Sequence, residues 1–378
     1  MNRIAALGLP ESYLTTLAEA NYDAGRIPVI DRLIARVYHE KKAQCVSYIL
    51  SRNGKAFYCD ASGKLTYEED SPEMQVTSIR GIASVTKVFV AVAILKLIED
   101  GVLELSQHVA GLLPEFNTPM HGSITIFQLL THTSGIRGDV GSYFEPYPGF
   151  TKMYEDSDND NWLKQVLAGP LESKPGTQAS YCSSGFNILC EVITKATGVH
   201  YEQYIHDNIL APLDMQDTFF DVPEEKKSRI CYTNQWEKEH CQNSGTRTST
   251  RPRGSGGLYS TLADLYKFGS MLVNRGELNG VRILGRIAVE NMCRNHLVNI
   301  PYISWGSTEK DMKYGLGLPL NTNCLVSDCT YEHEGSGRCA LVMDMKERFV
   351  AAYFMPLICE FCPEACVHMK NVIWSGIK

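Results

Sequence analysis

Among the serines that stand three residues ahead of a lysine are Ser84, in Ser84-Val85-Thr86-Lys87, and Ser307, in Ser307-Thr308-Glu309-Lys310. On a helix that spacing is just under one turn, so the lysine returns beside the serine. A lysine shielded from water has a lowered pKa and can take the proton of a neighbouring hydroxyl, which makes the serine a nucleophile. The motif is short enough to arise by chance, so its surroundings must separate the two copies. Ser84 opens the segment SVTKVFVAVAILKLIEDG, apolar almost all round and therefore predicted to be a buried helix whose N-terminal amides favour negative charge near Ser84. Ser307 falls in a polar stretch predicted to be a loop. On the motif alone, Ser84 as a helix N-cap with Lys87 reaching out to solvent is an equally good reading. G-x-S-x-G, H-E-x-x-H, a Walker loop and G-x-G-x-x-G are all absent, which removes several large enzyme classes.

The elements that must position these groups follow a simple order. CVSYILSRNGKAFYCD alternates apolar and polar residues around Asn53-Gly54 and predicts a hairpin. RCALVMDMKERFVAAYFMPL predicts two further strands separated by Lys346 and Glu347, with a closing helix towards Lys378. Between these ends the chain is mostly helical, and several helices stop at a glycine, as in GFNILCEVITKATG. The predicted fold class is α/β of the α+β type: an antiparallel sheet flanked by helices, formed by residues 1–83 and 311–378, with a mostly helical domain, 84–310, inserted and the site at their interface. EDSDNDN (155–161) and TRTSTRPRGSGG (246–257) read as surface loops.

Further short patterns occur in order: Leu129-Leu130-Thr131-His132-Thr133-Ser134-Gly135, then Tyr181-Cys182-Ser183 in a loop ahead of a helix, Gly256-Gly257-Leu258-Tyr259-Ser260-Thr261, Tyr314-Gly315-Leu316-Gly317, and His333-Glu334-Gly335. With S-x-x-K first, this order resembles serine beta-lactamases and penicillin-binding proteins. The match is to the class C beta-lactamase-like branch, with its family VIII-like esterases and peptidases, over roughly residues 40 to 375. The resemblance implies a beta-lactamase/transpeptidase-like fold with Ser84 as nucleophile, Lys87 as its proton acceptor and Tyr181 as a second acid/base group. It also implies backbone amides of Ser84 and Ser336 as the oxyanion hole, and Ser183, His333, Glu334 and Gly335 along the substrate.

Two positions depart from the family pattern. The asparagine of Tyr-x-Asn is Ser183, which lacks an amide donor, and Lys-Thr-Gly has become His333-Glu334-Gly335. The second change removes a fixed positive charge that would hold a beta-lactam carboxylate. Similar His-x-Gly replacements are familiar among the esterases and D-amino-acid peptidases that the chain resembles. The expected activity is therefore serine hydrolysis of esters or small amides through an acyl-enzyme, with transfer to an alcohol sharing the same chemistry. A D-amino-acid-specific peptidase, a weak beta-lactamase and a non-catalytic ligand-binding relative are the alternatives. Every group in such a mechanism is organic, so no cofactor or metal is expected.

Composition fits a small-molecule enzyme. The 378 residues carry 36 Lys and Arg against 43 Asp and Glu, a net charge of -7 that offers no field for nucleic acid or an anionic membrane. The apolar run Val88 to Leu95 is far shorter than the roughly 20 residues that span a bilayer, and the opening residues lack a continuous apolar signal, so a cytoplasmic location is expected. The 13 cysteines, odd in number and scattered, suit reduced and mostly buried thiols. Cys359, Cys362, Cys366 and His368 could hold a metal, but one short stretch without a second knuckle reads better as buried thiols on a helix face. His132 is expected to be a structural hydrogen-bonding residue. Tyr143, Phe144 and Tyr147 could line an acyl pocket or pack their own loop.

Overall fold

A computed structural model describes residues 2–139, 162–242, 251–304, 307–309, 312–321, 323–358 and 362–378. The frame is a five-stranded antiparallel sheet in the spatial order Thr330–Gly335, Cys339–Asp344, Phe349–Phe354, Cys45–Arg52, Lys55–Gly63. The N-terminal hairpin and the C-terminal strands thus meet at the centre, where Leu50 faces Ala351 and Ile49 faces Ala352. The predicted hairpin turn is present: Asn53 and Gly54 both take positive φ, 55° and 80°, as a tight turn matching strand twist requires.

Strand alternation divides the sheet's side chains between two cores. Val46, Tyr48 and Leu50 point to the face covered by helices Ile27–His39 and Met369–Trp374. Cys45 and Ile49 point to the opposite face, where they share one apolar core with Phe268 and with Val88 to Leu95. Helix Leu262–Val273 packs directly on this second face, and Phe89 stacks on Phe268 with ring centroids 3.8 Å apart. Each such buried aromatic removes about 150–250 Å² from water, so sheet and helical region are held by a single apolar interior.

Every residue of helix Thr86–Glu99 from Thr86 to Leu95 is buried, as its uniformly apolar sequence predicts. Ahead of it, Ile79–Gly81 pairs in parallel with Ile230–Cys231 and antiparallel with Tyr259–Ser260. The outer sheet strand Thr330–Gly335 ends against the same place: a Cβ at Gly335 would lie 2.4 Å from the carbonyl oxygen of Ile82. Only a glycine allows the strand to approach the turn that carries Ser84 this closely.

Ser307 departs from expectation. Ser307–Glu309 forms a short strand rather than a loop, because Tyr302–Ser304 supplies its backbone partners and pairs in turn with Ala179–Ser180. Lys310 lies outside the described residues. Among the described residues no helix is long and apolar enough to cross a membrane.

Candidate active site

Ser84 sits in a single 3-10 turn, Ala83–Val85, that runs without a break into helix Thr86–Glu99. Ala83 takes φ 43°, a left-handed conformation that costs an L-residue about 1–2 kcal/mol and must be imposed by its surroundings. Three bonds impose it: Ile82 N–H donates to Leu258 O at 2.8 Å, Leu258 N–H to Thr86 Oγ1 at 3.1 Å, and Cys339 Sγ to Ile82 O at 3.0 Å. The turn that carries Ser84 is therefore clamped between the Gly256-Gly257-Leu258 segment and the sheet.

Lys87 does not reach solvent, as one reading of the motif allowed. It is wholly buried, with Nζ 3.2 Å from Ser84 Oγ and 2.7 Å from the carbonyl oxygen of Ser255. Burial pulls its pKa down to about 8, although Asp139 and Cys182 oppose the shift. Near pH 8 about half of the population is thus a neutral amine able to accept a proton. Helix Thr86–Glu99 has no side-chain N-cap bond, so Ser84 is not spent on capping it.

The Tyr181 ring stands with its centroid 4.7 Å from Lys87 Nζ. Burial raises the phenol pKa although Ser84 acts in the opposite sense, so Tyr181 rests protonated. His132 fixes its position. Ser180 N–H donates to His132 O at 2.9 Å and Cys182 N–H donates to His132 Nδ1 at 3.1 Å, bracketing Tyr181 on both sides. Because Nδ1 accepts, Nε2 carries the proton and donates to Tyr314 Oη at 3.1 Å. Burial, with Lys87 nearby, lowers the imidazole pKa well below its ordinary value, so His132 is a neutral strut with its ring 4.6 Å from that of Tyr181.

Three groups of the site were not legible in its motifs. Asp139 accepts from Ser183 N–H at 2.9 Å and from Ser183 Oγ–H at 2.5 Å, which ties the Tyr-x-Asn position to a carboxylate. Asn187 Oδ1 accepts from Ser255 N–H at 3.0 Å and so aims the Ser255 carbonyl at Lys87. Arg80, 4% exposed, makes a two-pronged pair with Glu237 at 2.7 and 2.8 Å behind the turn that carries Ser84. A glycine-rich GSGG run was the one sequence signal for Ser255; Asp139 and Arg80 had none.

Residues Lys87, Tyr181 and His333 come together: the His333 and Tyr181 rings are 6.3 Å apart, and Lys87 acts electrostatically on His333. Glu334 does not join them. Alternation along the strand turns it to the other face with Glu332, where both carboxylates bind Lys370 Nζ at 2.8 Å. The expectation that Glu334 lies along the substrate beside His333 is corrected accordingly. Burial works against the Lys370 charge, but the two carboxylates outweigh it and raise its pKa. A cleft of about 580 Å³ opens beside the turn, lined by Ala83, Ser183, Asn187, Ser255, Ser336 and Trp236 among others.

Residues 30–356 match the family described as Beta-lactamase. The chain belongs to that family. Esterase EstB of Burkholderia gladioli is 31% identical over 213 residues, 54% of this chain and 54% of that protein. Protein flp of Staphylococcus aureus (strain MW2) is 32% identical over 200 residues, 50% of this chain and 38% of that protein. The chain thus spans about half or less of the length of these curated relatives. The octameric penicillin-binding protein homologue from Pyrococcus abyssi is similar in structure, with a TM-score of 0.66 and 25% identity over 88% of this chain and 74% of that one.

The remaining expected features distribute on this fold as follows. Cys362 is buried and donates to Glu364 Oε2 at 3.2 Å, Cys366 is half-buried, and Cys359 lies outside the described residues. Among the described residues no group of three or more His, Cys, Asp or Glu side chains is placed to hold a metal ion. Tyr143, Phe144 and Tyr147 also lie outside the described residues.

Proposed function

We propose that the protein is a serine hydrolase that cleaves esters or small amides through an acyl-enzyme on Ser84. The observation that carries this reading is the buried Lys87 amine 3.2 Å from Ser84 Oγ, with a pKa brought down to about 8. A buried lysine is costly, and here its nitrogen faces a hydroxyl instead of a carboxylate, an arrangement suited to proton transfer rather than to an ion pair. EstB, named an esterase, supports ester substrates.

Ser84 Oγ attacks the carbonyl carbon while its proton passes to Lys87 Nζ. The carbonyl oxygen becomes an anion held by the amides of Ser84 and Ser336, a pairing favoured by the close approach of Gly335 to Ile82. The carbon–oxygen or carbon–nitrogen bond then breaks, and the leaving group takes a proton through the Tyr181 phenol, which Lys87 replenishes. Water adds to the acyl-Ser84 carbonyl by the same steps in reverse and releases the acid. An alcohol in place of water gives acyl transfer.

Labelling with a fluorophosphonate, followed by peptide mapping, tests the reading. The expected result is a single adduct on Ser84. Labelling of Ser134 or Ser307 instead, or of no residue, overturns it.

A further inference from the structure

Beside the donors Lys87 and Tyr181, two groups of the site offer lone pairs rather than protons. His333 Nδ1 lies 3.0 Å from the carbonyl oxygen of Glu334. A carbonyl can only accept, so Nδ1 carries the ring proton and Nε2 is a bare lone pair. Nε2 has no hydrogen-bond partner among the described residues, although the residue is only 4% exposed. With Nδ1 bent back to its own strand, Nε2 occupies the far edge of a ring that faces Tyr181. Burial and the neighbouring Lys87 bring the pKa down to about 3, so the imidazole does not gain a second proton to become a donor.

Ser183 is committed in the same sense. Its backbone N–H and its hydroxyl proton are both given to Asp139, which leaves lone pairs on Ser183 Oγ and on the carboxylate. Lys87 gives protons to Ser84 Oγ and Ser255 O. A donor on an acyl group packed against the Tyr181–His333 edge would pair with the buried imidazole nitrogen, and one beside Ser183 with a carboxylate-backed hydroxyl, whereas a purely apolar acyl group would leave that nitrogen unsatisfied. A site built around a buried polar group rejects the analogue that cannot pair with it.

We infer that the site selects acyl compounds bearing a hydrogen-bond donor, an ammonium or a hydroxyl, next to the scissile carbonyl. The inference rests on the serine hydrolase reading and deepens it: His333 and the Ser183–Asp139 pair become the groups that set specificity. The Asp139 carboxylate adds a Coulomb preference for the ammonium, so esters of amino acids should exceed those of hydroxy acids.

The test uses the purified full chain and the methyl esters of propionic, 2-methoxypropionic and lactic acids and of both enantiomers of alanine, with the released acid measured by chromatography. The methoxy ester matches lactate in polarity but cannot donate. We expect kcat/KM for lactate and for at least one alanine enantiomer to exceed that for the methoxy ester by about tenfold or more. Asp139→Asn should reduce the alanine advantage and spare that of lactate. His333→Leu should abolish the lactate advantage, while His333→Gln, which keeps an accepting oxygen, should retain part of it. Equal rates for donor and methoxy esters in the wild type overturn the inference, whatever the variants do. Fluorophosphonate labelling of the same preparation separates the two levels. Labelled Ser84 without donor preference sinks the inference alone, and absent labelling with no turnover sinks the hydrolase reading and the inference with it.

Discussion

Lys87 Nζ is held between Ser84 Oγ at 3.2 Å and the Ser255 carbonyl at 2.7 Å, so a single buried nitrogen faces both the hydroxyl of the proposed nucleophile and a fixed oxygen that orients it. Only the neutral amine can act as base. The rate of acylation, read as kcat/KM for a neutral ester, should therefore rise with pH through an apparent pKa near about 8, the value to which burial lowers Lys87. Lys87→Ala should lower kcat/KM by roughly 10²–10⁴-fold and slow fluorophosphonate labelling of Ser84 in step. Labelling at the wild-type rate would show that the lysine is not the base.

The same shift has a consequence for stability. An amine whose pKa is lower in the folded chain than in the unfolded one releases its proton earlier when folded, so stability rises with pH between about 8 and the ordinary lysine value of 10.5. Below that window Lys87 is charged in both states and the folded chain bears the cost of burying the charge. The stability difference between wild type and Lys87→Met should accordingly move in favour of the wild type across the window, by roughly 1.4 kcal/mol per pH unit at most. Urea unfolding at a series of pH values reads this difference. A difference independent of pH would mean that the Lys87 pKa is not depressed.

The buried Arg80 pairs with the half-buried Glu237 behind the turn that carries Ser84, and Arg80 Nη1 also donates to Cys231 O at 3.0 Å. Glu237→Gln keeps the shape but leaves the guanidinium, 4% exposed, without its countercharge. The expected loss is about 3 kcal/mol of folding stability, the lower end of what breaking a buried pair costs. Arg80→Met combined with Glu237→Leu should recover much of that loss, because two apolar groups need no charge compensation. Unfolding midpoints of the three chains decide it.

At the strand edge that faces Tyr181 the nearest side chain is a neutral imidazole, and the Lys370 ammonium behind it is engaged by Glu332 and Glu334 on the opposite face. Among the described residues, the position where the family pattern has a lysine thus offers a beta-lactam carboxylate no fixed cation. A short neutral nitrophenyl ester should be cleaved much faster than a cephalosporin is opened, with the difference expressed in kcat/KM. Cephalosporin hydrolysis as fast as that of the ester would overturn the assignment of His333 as the group that replaces the cation.

Local periodicity carried a large part of the architecture. The uniformly apolar run after Ser84 determines a buried helix, and three residues of helix bring Lys87 back to Ser84. Asn53-Gly54 between alternating runs determines the hairpin, and Cys339–Asp344 and Phe349–Phe354 follow from two short apolar runs separated by Lys346 and Glu347. Each of these depends on neighbours within a turn or a strand, which is the range over which side-chain spacing carries information. The tertiary structure alone decided the rest. Ser255 is 168 positions from Lys87, and Asp139 lies 44 from Ser183, so no local pattern links them. Alternation separates His333 from Glu334, yet only the packing of helix Met369–Trp374, with Lys370 on one face, decides that His333 is the one turned to Tyr181. Ser307 likewise reads as polar loop until Tyr302–Ser304 is placed beside it, because a short strand owes its existence to its partner's hydrogen bonds and not to its own sequence.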